Sequence, residues 1–266
     1  QIADAFPGLF DGVLIGSVFP DALSIALSGM DGHLLTHYFT QTNPDGFTDS
    51  QKLSVSGYAS IQAFIDAANL AGRSDPVTGR QDMPGYVSGQ WTVAGGYPDQ
   101  QVVPASLRYD PARNLTGTRA TIFDVSASIY GKDPDTGFAR RPFDNMGVQY
   151  GLKALNDGAI TAKQFLDLNE SVGGYDQDGN YRSHRSEAAP DVLSRVYRSG
   201  LTLSGASGLA DIPVFDFAGY NETAQYHYQW FRFAVRQRML AANGDADNHV
   251  MWRTPGAILQ TSEDII

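Results

Sequence analysis

The chain has 266 residues, of which 42% are hydrophobic and 18% are charged, and its formal net charge is −10 at pH 7. A chain of this length buries a sizeable core, as one large domain or as a core with a lobe. Its acidity argues against a nucleic-acid partner, because affinity for phosphate backbones depends on clustered Lys and Arg. The chain has no Cys, which excludes thiol nucleophiles, disulfides and Cys-ligated zinc or iron–sulfur sites. No apolar run approaches the roughly 18 residues of a membrane span, so we expect none.

The first twenty residues predict a helix, a turn and a buried strand. Residues 1–6 read as the end of a helix, and Pro7 and Gly8 stop it. Residues 13–18 are apolar and partly β-branched, which is typical of a strand covered on both faces.

This order resembles α/β-hydrolases of the tannase and feruloyl esterase type. In that family the helix after the nucleophile elbow ends in Tyr-Pro, and Asp-Tyr-Asp-Gly and a strand follow. The matching residues in this chain are Phe6, Pro7, Phe10, Asp11 and Gly12. The family's elbow, Gly-x-Ser-x-Gly, lies about a dozen residues before the aromatic-proline pair, so the resemblance places the nucleophilic Ser before Gln1. The absence of Cys departs from the family, whose members commonly carry disulfides. The alternative is an ordinary βα unit in a complete small domain.

Residues 20–39 predict a helix, which in hydrolases of this architecture leaves the sheet and enters a cap. Within it, His33 and His37 are spaced i,i+4, which can place two imidazoles on one helix face toward a metal. No acidic third ligand lies at Glu-x-x-His spacing. Surface or packing roles are therefore favoured for both.

Two stretches of the middle region offer substrate-binding residues. Residues 73–114 are rich in Gly, Pro, Asp and Gln, and a connection of this length is typical of a lid or a binding edge. Trp91 and the scattered tyrosines of this stretch either line a substrate groove or anchor the loop. Further on, Arg140 and Arg141 precede Asp144. Either a local Arg–Asp tether fixes this loop, or an Arg receives a substrate carboxylate through a bidentate pair.

A segment after residue 172 has the spacing of a calcium-binding loop. Residues 160–172 predict an amphipathic helix with Thr161 as its cap. The sequence DQDGNYRSHRSE follows, and oxygen ligands fall at positions 1, 3, 5 and 12 of an EF-hand-like loop, at Asp176, Asp178, Asn180 and Glu187. Tyr181 replaces the Gly that the sharp turn requires, and Arg182 and Arg185 oppose a divalent ion. The resemblance implies a Ca²⁺ site in the lid, although the family's loop has a different pattern.

The C-terminal region carries the candidate acid and bases. Residues 212–217 predict a strand, and the resemblance assigns the triad acid to Glu222, just after it, where the family has Gly-Trp-x-Asp. Asp216 is the rival acid, but strand alternation puts it on the face of Val214 and favours a buried structural role. Residues 226–240 predict a helix and residues 248–252 a strand. The family's catalytic His follows that strand, so the base is His227, His249 or a residue beyond Ile266, and we prefer the last.

The predicted fold is α/β, part of an α/β-hydrolase sheet with a large, loop-rich cap or lid insertion. Residues 1–20 and 205–266 form the core, and residues 21–204 form the lid. By resemblance the chain is part of a secreted or periplasmic serine carboxylic-ester hydrolase. It supplies the lid and the acid, and its partners are the remaining segments of the same precursor and an ester substrate. The alternative function is a non-catalytic calcium- or carbohydrate-binding module.

Overall fold

The computed structural model describes residues 1–16, 18–64, 92–93, 97–101, 105–107, 109–110, 112–117, 119, 123–176, 181–219 and 228–254. The chain divides into two compact units, Gln1–Ile25 with Val196–Ile266, and Ala26–Arg195. The helices are α1 Ile2–Ala5, α2 Ala22–His37, α3 Asp49–Ser56, α4 Ala127–Tyr130, α5 Leu152–Asn156, α6 Ala162–Ser171, α7 Pro190–Arg198 and α8 Gln229–Asn243. The strands are β1 Val13–Gly16, β2 Thr92–Val93, β3 Tyr97–Gln101, β4 Gly174–Tyr175, β5 Tyr181–Arg182, β6 Val214–Gly219 and β7 His249–Thr254.

The first unit is built on a parallel sheet with the order β1-β6-β7. The strands predicted near residues 13 and 212 are parallel neighbours in this sheet, since Val13 pairs with Val214 and Gly16 with Phe217. The helix α8 follows β6 and returns the chain to β7, as the crossover between parallel strands requires. This α/β architecture agrees with the predicted fold class.

One face of this sheet carries the core of the first unit. Along β6, Val214, Asp216 and Ala218 are buried and alternate with partly exposed residues, so the predicted shared face of Val214 and Asp216 is confirmed. Apolar residues of α8 and of the segment before β6 pack on this face, among them Leu209, Ile212, Val235 and Met239. On the other face, Leu14 of β1 is 47% exposed, so the described residues leave this side chain open to solvent. The expectation that the first strand is covered on both faces is therefore wrong for the residues that the structure describes.

Two buried carboxylates fix the short segments around this core. Asp4 accepts hydrogen bonds from the backbone N–H groups of Ser204, Gly205 and Ser207 and from the Ser204 hydroxyl. Asp21 caps α2 through the Ser24 N–H at 2.7 Å, and it also accepts from Arg238 Nη1 at 2.7 Å. These bonds satisfy groups that would otherwise be buried without partners.

The second unit consists of helices, loops and two short antiparallel strand pairs, β2-β3 and β4-β5, and side-chain caps hold two of its helices. Thr161 caps α6 through the N–H of Gln164, which confirms the predicted cap, and the Gln164 side chain completes a capping box. Thr48 and Gln51 form the same motif at α3. Residues 61–64 are also helical.

Candidate functional site

The carboxyl ends of β6 and β7 meet at one edge of the sheet. Gly219, the last residue of β6, pairs with Thr254, the last residue of β7. Sites in α/β proteins assemble at this edge, because the loops that leave parallel strands converge there. Glu222 follows Gly219 by three positions in the sequence. Glu222 and His227 lie outside the described residues.

Behind this edge, a buried guanidinium links β6, β7 and α8. Arg232 of α8 donates from Nε to Asp216 Oδ1 at 2.9 Å, and from Nη2 to the carbonyl oxygens of Asp216 at 2.6 Å and Trp252 at 3.1 Å. Both charged side chains are nearly inaccessible to solvent. Asp216 therefore forms a buried ion pair inside the sheet.

Gln229 extends the same network to the edge itself. Its Nε2 donates to the carbonyl oxygen of Gly219 at 2.8 Å, and its Oε1 accepts from Arg232 Nη1 at 3.1 Å. Gln229, which is itself held by Arg232, thus fixes the last carbonyl group of β6. The network fixes where the chain leaves β6, three residues before Glu222.

His249 lies at the opposite end of β7 from this edge. It is the first residue of the strand, it pairs with Val214, and Thr254 follows five residues, or about 17 Å, later. Its side chain is fully buried, and Nε2 lies 3.4 Å from Asp216 Oδ2. Within the described part of the chain, three buried atoms have no hydrogen-bond partner: the two ring nitrogens of His249 and Asp216 Oδ2. The structure thus places two of the four predicted catalytic residues together, inside the sheet and away from the edge.

A second candidate site is a cavity of about 320 Å³ in the unit Ala26–Arg195. Its lining includes the two predicted substrate-binding arginines, Arg140 and Arg141, and two predicted calcium ligands, Asp176 and Glu187. Phe143 and Tyr175 contribute a buried aromatic wall. Trp91, the third predicted substrate-binding residue, lies outside the described residues. Residues predicted to bind substrate and residues predicted to bind calcium thus line the same cavity.

Arg140 already holds a carboxylate. Its Nη1 and Nη2 donate to the two carboxylate oxygens of Asp191 at 2.6 and 2.8 Å, and this pair lowers the pKa of Asp191. The local tether that the sequence allowed is not the bond that Arg140 forms, because its partner Asp191 lies on α7, 51 residues away. The Asp144 carboxylate accepts from the N–H groups of Met146 and Ala188. Arg141 donates to the carbonyl oxygen of Asp176 at 3.2 Å.

The predicted calcium loop begins in a β-hairpin. β4 and β5 are antiparallel, and Tyr175 pairs with Tyr181 across the connection. Asp178 and Asn180 of the proposed ligand set lie in that connection, outside the described residues. In the described ranges, no group of three or more His, Asp or Glu side chains is placed to hold a metal ion. His33 Nδ1 lies 2.8 Å from Tyr175 Oη, and the His37 ring stacks on Tyr181.

Sequence reasoning missed a half-buried acid, Asp31, in the second unit. The Tyr150 hydroxyl donates to Asp31 Oδ1 at 2.5 Å and accepts from Asn145 Nδ2 at 3.2 Å. Burial raises the pKa of Asp31 to about 6, against the opposing effects of the Tyr150 hydrogen bond and the Arg185 charge. No local pattern marks this pair, because Asp31 and Tyr150 are 119 residues apart in the chain.

A parallel sheet with a crossover helix and a converging carboxyl edge defines an α/β protein of the kind that assembles sites at strand ends. The whole chain, residues 1–266, matches the profile described as "Tannase-like family of unknown function (DUF6351)". The chain therefore belongs to this tannase-like family. No curated protein and no solved structure matches it. Over the described residues, no helix is both long and apolar enough to cross a membrane.

Proposed function

We propose that this chain is part of a serine carboxylic-ester hydrolase and contributes the triad acid, Glu222. The observation that carries the proposal is the position of Gly219 at the carboxyl edge of a parallel sheet, with a carboxylate three residues later. Membership of a tannase-like family supports ester hydrolysis as the reaction class. The printed sequence has no Gly-x-Ser-x-Gly, so we assign the nucleophile to another segment of the same protein.

The proposed chemistry is acyl transfer through a covalent intermediate. The Ser hydroxyl attacks the ester carbonyl while a His accepts its proton, and the alcohol leaves after the His returns that proton to it. Water then releases the acid by the same proton transfers. The Glu222 carboxylate holds the imidazole in the required tautomer and stabilises its charged form. Because His249 is buried far from the edge, His227 and a His beyond Ile266 are left as candidates for the base, and we assign the role to the latter.

In this proposal Arg232 and Gln229 are positioning residues. They bind the carbonyl oxygens of Gly219, Asp216 and Trp252, so they immobilise the strand ends from which the acid and the base depart. Small displacements of reacting groups cost large factors in rate. A rigid edge therefore serves the reaction without any contact to substrate.

The experiment uses the full-length gene product and a panel of phenolic and aliphatic esters. Glu222→Gln should lower kcat by roughly 10⁴, the loss that follows when a triad acid becomes an amide, and should leave the melting temperature nearly unchanged. Asp211→Asn is the matched control, because Asp211 is an exposed acid shortly before β6, and it should retain full activity. If Glu222→Gln keeps the wild-type turnover, Glu222 is not the triad acid. No reaction of the wild-type protein with a serine-directed fluorophosphonate would remove the serine mechanism altogether.

We keep a second candidate, a calcium- or carbohydrate-binding module, because the cavity of the second unit combines an aromatic wall with opposite charges. Tyr175 and Phe143 face the same space as Asp176, Glu187 and Arg182. In that case the wild-type protein hydrolyses no ester but binds Ca²⁺ or an oligosaccharide in calorimetry. A site in this cavity also serves the esterase proposal, in which it would bind substrate or stabilise the lid.

A further inference from the structure

The cavity of the second unit combines charges of both signs with apolar side chains. Its lining residues all belong to Ala26–Arg195, so the cavity lies within one compact unit. Its volume of about 320 Å³ is at the small end of the roughly 300–1,000 Å³ that ligand sites occupy, so we expect a small ligand. The apolar part includes the buried residues Met30, Phe143 and Val192. The charged part consists of three arginines and three acids, Arg140, Arg141, Arg182, Asp133, Asp176 and Glu187.

Several of these charged residues already have partners in the fold. Both Nη atoms of Arg140 donate to the Asp191 carboxylate. Arg141 donates to the carbonyl oxygen of Asp176 at 3.2 Å. Asp133 Oδ1 accepts from two backbone N–H groups of the turn that follows it. These contacts stabilise the loops around the cavity.

Arg182 and Glu187 differ from these residues. Among the residues that the structure describes, neither the Arg182 guanidinium nor the Glu187 carboxylate has a hydrogen-bond or ion-pair partner. The two side chains have opposite charges and line the same cavity, yet they do not pair with each other. Both are exposed. The cavity therefore offers one cation and one anion to a ligand.

The ligand that fits this arrangement carries both charges. A guanidinium presents parallel N–H donors that match the two oxygens of a carboxylate, and the Glu187 carboxylate can accept hydrogen bonds from an ammonium group. A simple anion would be repelled by the three acids, and a divalent cation by the three arginines. A zwitterion avoids both conflicts, and the apolar lining favours one with an apolar substituent. An α-amino acid has this chemistry.

We propose that this cavity binds a free α-amino acid with an apolar side chain. Arg182 holds its carboxylate, Glu187 holds its ammonium group, and its side chain lies against Met30, Phe143 and Val192. The proposal goes beyond the ester hydrolase function, because it needs no residue of the sheet edge and no covalent step.

The test is calorimetry of the full-length gene product in the presence of a chelator, with L-leucine and L-phenylalanine as the probes. At least one of them should bind in a saturable one-to-one isotherm. Its N-acetyl derivative lacks the ammonium group and its amide lacks the carboxylate, so each should bind at least about tenfold more weakly. An affinity for either analogue closer than this to that of the amino acid would overturn the proposal. No binding of either amino acid up to about 10 mM, or binding seen only after Ca²⁺ is added, would also overturn it.

Variants of the two charged residues test their separate roles. Arg182→Met and Glu187→Gln should each weaken binding of the amino acid at least about tenfold. Arg113→Met and Glu170→Gln are the matched controls, because both residues are exposed charges of the same unit, and they should keep the wild-type affinity. Glu187→Gln should bind the N-acetyl derivative as well as the wild type does, because that derivative has no ammonium group to lose. If Glu187→Gln weakens both compounds equally, Glu187 does not hold the ammonium group and the proposal is overturned. These readouts measure binding, so they are independent of ester turnover.

Discussion

The hydrogen-bonded pair Asp31–Tyr150 predicts a pH-dependent stability that a single substitution removes. The pKa of Asp31 is raised from 3.8 to about 6 in the folded chain, with burial as the largest cause. A carboxyl group whose folded pKa is raised holds its proton more tightly when folded. Its contribution is therefore fully present below about pH 4, falls as the pH rises through 6, and is lost above it.

The magnitude follows from the shift. A pKa displacement of 6 − 3.8, about 2.2 units, corresponds to about 3 kcal/mol at 1.36 kcal/mol per unit. Asp31→Asn keeps a carbonyl oxygen that can accept the Tyr150 hydroxyl, and it cannot ionise. We expect the variant to match the wild type below about pH 4 and to exceed its unfolding free energy by up to about 3 kcal/mol at neutral pH.

The assay is urea unfolding of the full-length protein, wild type and Asp31→Asn, at intervals between about pH 4 and pH 8. The difference between the two unfolding free energies should grow through the region around pH 6. Asp45→Asn is the control, because Asp45 is exposed in the same unit, and its difference from the wild type should be flat. If the difference in unfolding free energy between Asp31→Asn and the wild type also stays constant with pH, the raised pKa of Asp31 is refuted.

Two further predictions concern the sheet and the cavity. Arg232→Met should destabilise the protein by about 3–5 kcal/mol in urea unfolding, because it leaves the Asp216 carboxylate buried without its partner; a cost below about 1 kcal/mol would show that the pair is dispensable. Ca²⁺ at 100 times its dissociation constant should stabilise the protein by about 2.7 kcal/mol, and Glu187→Gln, which changes one proposed ligand, should abolish most of that gain. A melting temperature that responds to neither Ca²⁺ nor chelator would remove the calcium site.

Local rules of the chain predicted most of the elements. The apolar runs near residues 13, 212 and 248 became the three strands of one parallel sheet, because short β-branched runs bounded by turns have few other buried conformations. The Thr161 cap was readable because the capping box spans four consecutive positions. Alternation along β6 gave the burial of Asp216, since successive strand residues point to opposite faces.

Tertiary structure decided what depends on residues far apart in the chain. Arg140 was expected to meet a nearby carboxylate, but it binds Asp191, 51 residues away. Asp31 meets Tyr150 across 119 residues. Such pairs carry no local signal, because their geometry exists only after the helices and loops have packed. The sequence by itself determined the strands, the helix caps and the alternation that buries Asp216. The folded chain alone decided which charges become partners, which carboxyl group has a raised pKa, and which face of the sheet packs against the core.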